Sequence, residues 1–177
     1  KARTCSPELA FPSRLHEVLA LEHALKQNEN DHLALYCLGN FYYAHERFDE
    51  GIHFWESAKK GFLKFDVIYR NLGLAHWERQ QDGEKAITNF ETALTLRPDN
   101  YDLFLLLDDL YKSLNRTQKR AGLLEMINQQ KEIREDVHKR AITILVELGR
   151  HEEALKALEE EWFIPLEMDK SFHGVYV

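Results

Sequence analysis

Nine histidines in a 177-residue chain raise metal chemistry first. A helical zinc-hydrolase site needs two histidines four apart with a glutamate after the first, so that both imidazoles share one face and the carboxylate works on water. The pairs His16-Glu17, His45-Glu46 and His151-Glu152 all lack the second histidine three positions after the glutamate. His16 and His23 stand seven apart and can share a helix face, but no third ligand accompanies them. Ser57-Ala58-Lys59-Lys60 spells the S-x-x-K of serine–lysine nucleophiles, without its partner motifs and in mid-helix. Neither a G-x-x-x-x-G-K nor a G-x-G-x-x-G phosphate loop occurs. Cys5 and Cys37 have neither metal-ligand spacing nor the pattern of a disulfide framework, and Cys37 reads as a small core thiol. Asn115-Arg116-Thr117 is a glycosylation sequon that matters only in a eukaryotic secreted protein. Arg116, Lys119 and Arg120 form a small basic patch at a helix start. The expectation is a non-enzyme with no catalytic residues, no metal and no cofactor.

The formal net charge of −7 opposes nucleic acid, RNA included, and anionic membrane as general partners. No apolar run approaches the roughly 20 residues needed to span a bilayer, and the two cysteines fit a reducing compartment, so the expected location is cytoplasmic. The chain begins Lys1-Ala2-Arg3 without a Met and stops at Val177, which reads as an excerpt of a longer protein.

The elements that carry these side chains are helical throughout. Residues 1–12 form an irregular lead-in holding Pro7 and Pro12. Ser13 can cap a helix running to about Gln27, with Leu15, Val18, Leu19, Ala24 and Leu25 on its apolar side. From His32 a two-helix pattern repeats. Leu35, Leu38, Gly39 and Tyr42 form a first-helix stripe, and Phe48, Gly51, Trp55 and Ala58 serve a second helix. The next Leu-Gly pair, Leu72-Gly73, comes 34 residues on, whereas Ala86, Phe90 and Ala93 come 35 after Gly51, Trp55 and Ala58. One extra residue therefore lies in the turn near Gln80–Asp82. The third unit is apolar almost all round. Phe104, Leu107 and Tyr111 define one register and Leu103, Leu106 and Leu110 the other. The start positions of the flanking units select the first, which puts Asp108 and Arg120 where small residues are usual and implies looser helix contact or an ion pair. The fourth unit uses His138, Ala141, Ile142, Leu145, Ala154 and Leu158, breaks pattern at Glu161 and ends at Pro165.

Residues 69–98, YRNLGLAHWERQQDGEKAITNFETALTLRP, resemble the tetratricopeptide repeat, W-x2-L-G-x2-Y…A-x3-F…P, with His76 replacing the usual Tyr. The order FPSRL, LGNFYY, YRNLGLAHW, LYKSLNR, GRHEEALKAL and FHGVYV, over roughly residues 11–177, is similar to the repeat region of large bacterial proteins that also carry a domain of unknown function. The resemblance implies an all-α fold, an α-α superhelix of about nine helices. Its predicted organisation is a lead-in over 1–12, a repeat domain over 13–161 with repeats at about 32–65, 66–100, 101–134 and 135–165, and an aromatic segment over 162–177. In that segment Trp162, Phe163 and Phe172 cap the last repeat. Helices are predicted over 13–27, 32–45, 48–60, 66–79, 83–96, 101–114, 117–130, 135–147 and 151–160.

The same resemblance implies a non-catalytic scaffold that binds a peptide or protein segment, or another domain of its own longer chain, in a concave groove lined by first helices. The alternative is an accessory module of a carbohydrate-active protein whose catalytic part lies elsewhere. Groove residues follow the core stripe by one position. They are Tyr36, Asn40 and Tyr43, then Arg70, Leu74 and Trp77, then Leu105, Asp109 and Lys112, and last Lys139, Thr143 and Val146. Tyr, Trp and Arg are the types that anchor interfaces, and Trp77 is expected to be the central anchor. A carboxylate clamp of the kind some members use is disfavoured, because Tyr36, Asp102 and Leu106 replace its basic residues and Asn40 alone remains.

Overall fold

A computed structural model describes residues 11–130 and 132–160. Nine α-helices occupy the described residues: α1 Leu15–Gln27, α2 His32–Ala44, α3 Phe48–Lys59, α4 Asp66–Glu78, α5 Gly83–Leu96, α6 Tyr101–Ser113, α7 Thr117–Ile127, α8 Glu135–Glu147 and α9 His151–Glu160. No strand interrupts them among the described residues. The largest departure from the expected spans is at α7, which ends at Ile127. Ser13 lies one residue outside the cap of α1, where Arg14 stands. There the Glu17 carboxylate reaches back and accepts from the Ser13 and Arg14 amides at 2.8 and 3.0 Å, so the acid of the first turn does the work expected of the serine. The expected capping segment over 162–177 lies outside the described residues.

Two compact units divide the chain, the first ending at Arg97 and the second starting at Pro98. In the first, α2 pairs with α3 and α4 with α5, and α1 leans on α2, where the Tyr42 hydroxyl donates to Glu22 at 3.1 Å. Asp31 and Asp82 cap α2 and α5 by accepting from the Ala34 and Lys85 amides. The Leu-Gly positions explain the tight pairing. A Cβ on Gly39 would collide with the Trp55 indole, and one on Gly73 with the Phe90 ring. Each aromatic lies flat where the facing helix has no side chain, with Trp55 nearly buried and Phe90 wholly so. Gly51 goes further: a Cβ there would come within 2.8 Å of Tyr43 Cβ and 2.9 Å of its backbone nitrogen. The α3 backbone therefore rests directly on α2. His76 is buried, with Nδ1 2.8 Å from Gln80 Oε1 and Nε2 3.4 Å from Glu56 Oε1. It is a satisfied core histidine.

In the second unit α6 pairs with α7 and α8 with α9. Phe104, Leu107 and Tyr111 of the expected register are buried, and so are Leu103 and Leu110, which lie outside it. Asp108 is completely buried and forms an ion pair, the second of the two expected outcomes. Arg120 Nε donates to it at 2.7 Å and Arg140 Nη1 at 3.0 Å, while Arg120 Nη1 also holds Glu147 at 2.7 Å.

The turns inside the hairpins share one device. Glu46, Gln81, Asn115 and Gly149 all have φ between 53° and 73°. The residue after each donates its amide back to a carbonyl in the last turn of the preceding helix: Arg47 to Tyr42, Asp82 to His76, Arg116 to Tyr111 and Arg150 to Leu145, at 2.8–2.9 Å. These bonds satisfy carbonyls that the helix end leaves open. The turn after α4 spans four residues and the other three span three each, so the extra residue sits where the repeat spacing placed it.

Candidate functional site

The two first helices of the N-terminal unit present matched stripes. On α2, Tyr36, Asn40 and Tyr43 fall at i, i+4 and i+7. On α4, Val67, Arg70, Asn71, Leu74 and Glu78 continue the same spacing over three turns. Together they line a cleft of about 370 Å³, with Trp55 of α3 behind it and Ala44 and Phe11 at its edges. Five of the residues expected in a groove, Tyr36, Asn40, Tyr43, Arg70 and Leu74, are thus brought together.

Their surroundings assign different jobs. Tyr36 is 2% exposed, its ring edge-on to Phe62 at 6.0 Å and Phe65 at 5.3 Å. It fixes the loop between α3 and α4 and offers the cleft only its rim. Tyr43 is half-buried and lines the cleft, its ring held 4.7 Å from Trp55 and 5.0 Å from Phe48. Asn40 Oδ1 accepts the Trp55 indole N–H at 2.9 Å, which orients the amide and satisfies the buried indole. Leu74 supplies apolar area beside Asn71, whose Oδ1 accepts from Arg70 at 3.3 Å. Arg70 is exposed, and no carboxylate of the described residues lies within ion-pair distance of it. Glu78 lies eight residues along the same helix, about 12 Å away by helical rise.

Trp77, the expected central anchor, does not line this cleft and is half-buried outside it. It stands seven residues after Arg70, about 20° further round the helix from the Leu74–Glu78 side of the stripe. The charged groove residues expected in the second unit, Lys112, Lys139 and Asp109, are each paired with an opposite charge. Lys112 Nζ lies 2.6 Å from Glu147, Lys139 Nζ lies 3.1 Å from Glu135, and Asp109 pairs with Arg140. Leu105, Thr143 and Val146 are half-buried, and the Thr143 hydroxyl donates to the Lys139 carbonyl at 2.9 Å.

The charges of the second unit hold one another in place. Burial would raise the Glu147 carboxyl, yet hydrogen bonds from Lys112 and Arg120 bring it below its ordinary value. Burial would lower Arg120, and its bonds to Asp108 and Glu147 hold it above the usual range instead. This is a structural network. No cluster of three or more metal-ligating side chains exists among the described residues, and no helix of theirs is long and apolar enough to cross a membrane.

Residues that the sequence reading passed over include Val67, Asn71 and Glu78. Stepping three residues back from Arg70 and Leu74, and four on from Leu74, would have found them. Trp55 was placed as core, which it is, and its indole edge still reaches the cleft. Phe11 had no signal, because the lead-in has no period.

No protein-family model matches the chain. Solved structures do resemble it. One is YrrB, described as a tetratricopeptide-repeat protein with an unusual peptide-binding site, at 19% identity and a TM-score of 0.58, covering 80% of this chain and 73% of that one. A second is MamA from AMB-1, at 20% identity and a TM-score of 0.60, covering 85% of each chain. A third is PilF of Pseudomonas aeruginosa, at 18% identity and a TM-score of 0.52, covering 79% of this chain and 62% of that one. With nine helices among the described residues, α2–α3 and α4–α5 closing at their Leu-Gly positions, the chain has the tetratricopeptide-repeat fold.

Proposed function

We propose that the chain is a non-catalytic binding scaffold whose N-terminal unit takes an extended peptide segment in the cleft between α2 and α4. The segment carries an apolar or aromatic anchor and a carboxylate. It comes from another protein or from a further part of the same longer chain. The observation that supports this reading most is the pairing, in one cleft, of a half-buried Tyr43 held by Trp55 and Phe48 with an exposed Arg70 that has no acidic partner among the described residues. A rigid aromatic offers contact area at low entropic cost, and a lone guanidinium in an acidic protein favours an anionic group. YrrB, which shares the fold, has a peptide-binding site, which supports the class of ligand. The array reads as repeats over about 32–65, 66–100, 101–134 and 135–165. The described side chains supply no nucleophile–base pair or metal cluster to the cleft.

Peptide display against the immobilised protein tests this. Selected peptides are expected to share an aromatic or large apolar residue near an Asp, a Glu or a free C-terminus. Arg70→Ala should weaken them in a salt-sensitive way, Tyr43→Ala by about 2 kcal/mol, and Trp77→Ala by less. Peptides that bind all three variants as tightly as the wild type would place binding elsewhere.

A further inference from the structure

Phe11 lines the cleft from outside the two helices that wall it and from outside α3, which contributes Trp55. It is 55% exposed, and a single exposed phenylalanine needs no explanation in itself. Its position gives it meaning. It stands on the cleft with Tyr43, Arg70 and Leu74, one residue before Pro12, which is buried, and four before the start of α1. The ring is thus tethered to a fixed point yet only half held. A side chain that keeps half its surface in water has little burial to lose when it lifts away. A short tether meanwhile gives it a high local concentration at the cleft.

We propose that Phe11 is a resident competitor: the cleft's apolar subsite is built for an aromatic side chain, and the lead-in supplies one until an incoming segment displaces it. This rests on the reading of the cleft as a peptide site and adds what the subsite prefers and how its affinity is set. Intramolecular occupancy lowers apparent affinity by the fraction of molecules whose subsite is open. Arg70 is exposed, so the ligand's carboxylate can bind before its aromatic group exchanges with Phe11.

The test uses the full chain labelled with 15N and the indole N–H signal of Trp55, which is hydrogen-bonded to Asn40 inside the cleft. The probe is N-acetyl-L-phenylalaninate, with its primary amide (no carboxylate) and N-acetylglycinate (no ring) as the comparison arms. Phe11→Ala is expected to bind the probe about five-fold or more tightly than wild type, and Phe11→Trp more weakly, with both variants retaining wild-type helical content. Equal or weaker binding by Phe11→Ala overturns the competitor role, a weaker result making Phe11 a wall of the site. Arg70→Ala keeps the two levels apart. If it removes the preference for the carboxylate over the amide while Phe11→Ala changes nothing, the cleft reading stands and this proposal falls. If no variant shows saturable movement of the Trp55 signal, both fall.

Discussion

At matching positions of two hairpins, the same packing problem is solved in opposite ways. In α4–α5 a glycine, Gly73, lies beneath a phenylalanine, Phe90, and the helix backbones close on each other. In α6–α7 the corresponding residue is Asp108, and Arg120 reaches it where α5 has Ala86. The first solution fills space with a ring, at no electrostatic cost. The second takes two charges out of water and recovers the loss only because every partner is present, with Arg140 and Glu147 completing the set. Shape holds the first unit together, while the third hairpin depends on a network that fails when any member is lost.

The largest expected effect is on the shape side. Phe90→Ala leaves a cavity under Gly73 and should cost about 3–5 kcal/mol by denaturant unfolding. Asp108→Ala should cost about 3 kcal/mol, because it removes the buried partner shared by Arg120 and Arg140, although Glu147 still pairs with Arg120. A loss below about 1 kcal/mol would mean that the network contributes little. The comparison sharpens with Asp108→Gly, Arg120→Ala and Leu124→Phe together, which rebuild the α4–α5 solution in α6–α7. Stability within about 1 kcal/mol of wild type, or above it, is expected.

Hydrogen exchange reads the contrast without mutation. Residues 101–127 should exchange faster than residues 66–96, since α6 and α7 approach each other less closely than α4 and α5. Equal protection would dissolve the distinction. Acid should act on the network selectively. The Glu147 carboxyl titrates below its ordinary value in the folded chain, so its contribution is present above the unfolded carboxylate pKa of about 4.3 and is lost as pH falls through the folded value. The second unit should therefore lose protection below about pH 5, and Glu147→Gln should flatten that dependence. The smallest effect is at a turn. Gly149 has φ +73° with open space around its Cα, so Gly149→Ala should cost about 1–2 kcal/mol through backbone conformation alone.

The legibility of this chain follows from how its repeats work. Leu72-Gly73, Ala86 and Phe90 must stand at fixed spacings for two helices to meet, so their pattern located both the hairpins and the extra turn residue. Asp108 and Arg120 were visible as intruders in that pattern, which left looser helix contact or an ion pair as the two outcomes. The cleft was half legible. A helical offset placed Tyr36, Asn40, Tyr43, Arg70 and Leu74 on one side, because periodicity fixes direction. It could not tell that Tyr36 would be sealed by Phe62 and Phe65, that Lys112 and Lys139 would find Glu147 and Glu135, or that Trp77 would turn aside. Those outcomes depend on partners distant in sequence or on a rotation of a few tens of degrees. Phe11 was beyond reach, since an aperiodic segment carries no directional information.

The turn after α4 has one consequence for the chain's history. Its extra residue leaves both anchors intact, since Asp82 still donates to the His76 carbonyl and still caps α5. A one-codon insertion is thereby confined to the outside of the hairpin, and neither helix changes phase. The same tolerance makes residues 79–82 a natural place to splice in an epitope or a fluorophore site, at little thermodynamic cost. The length of a repeat in this protein is a property of its turns, and its helices keep their own count.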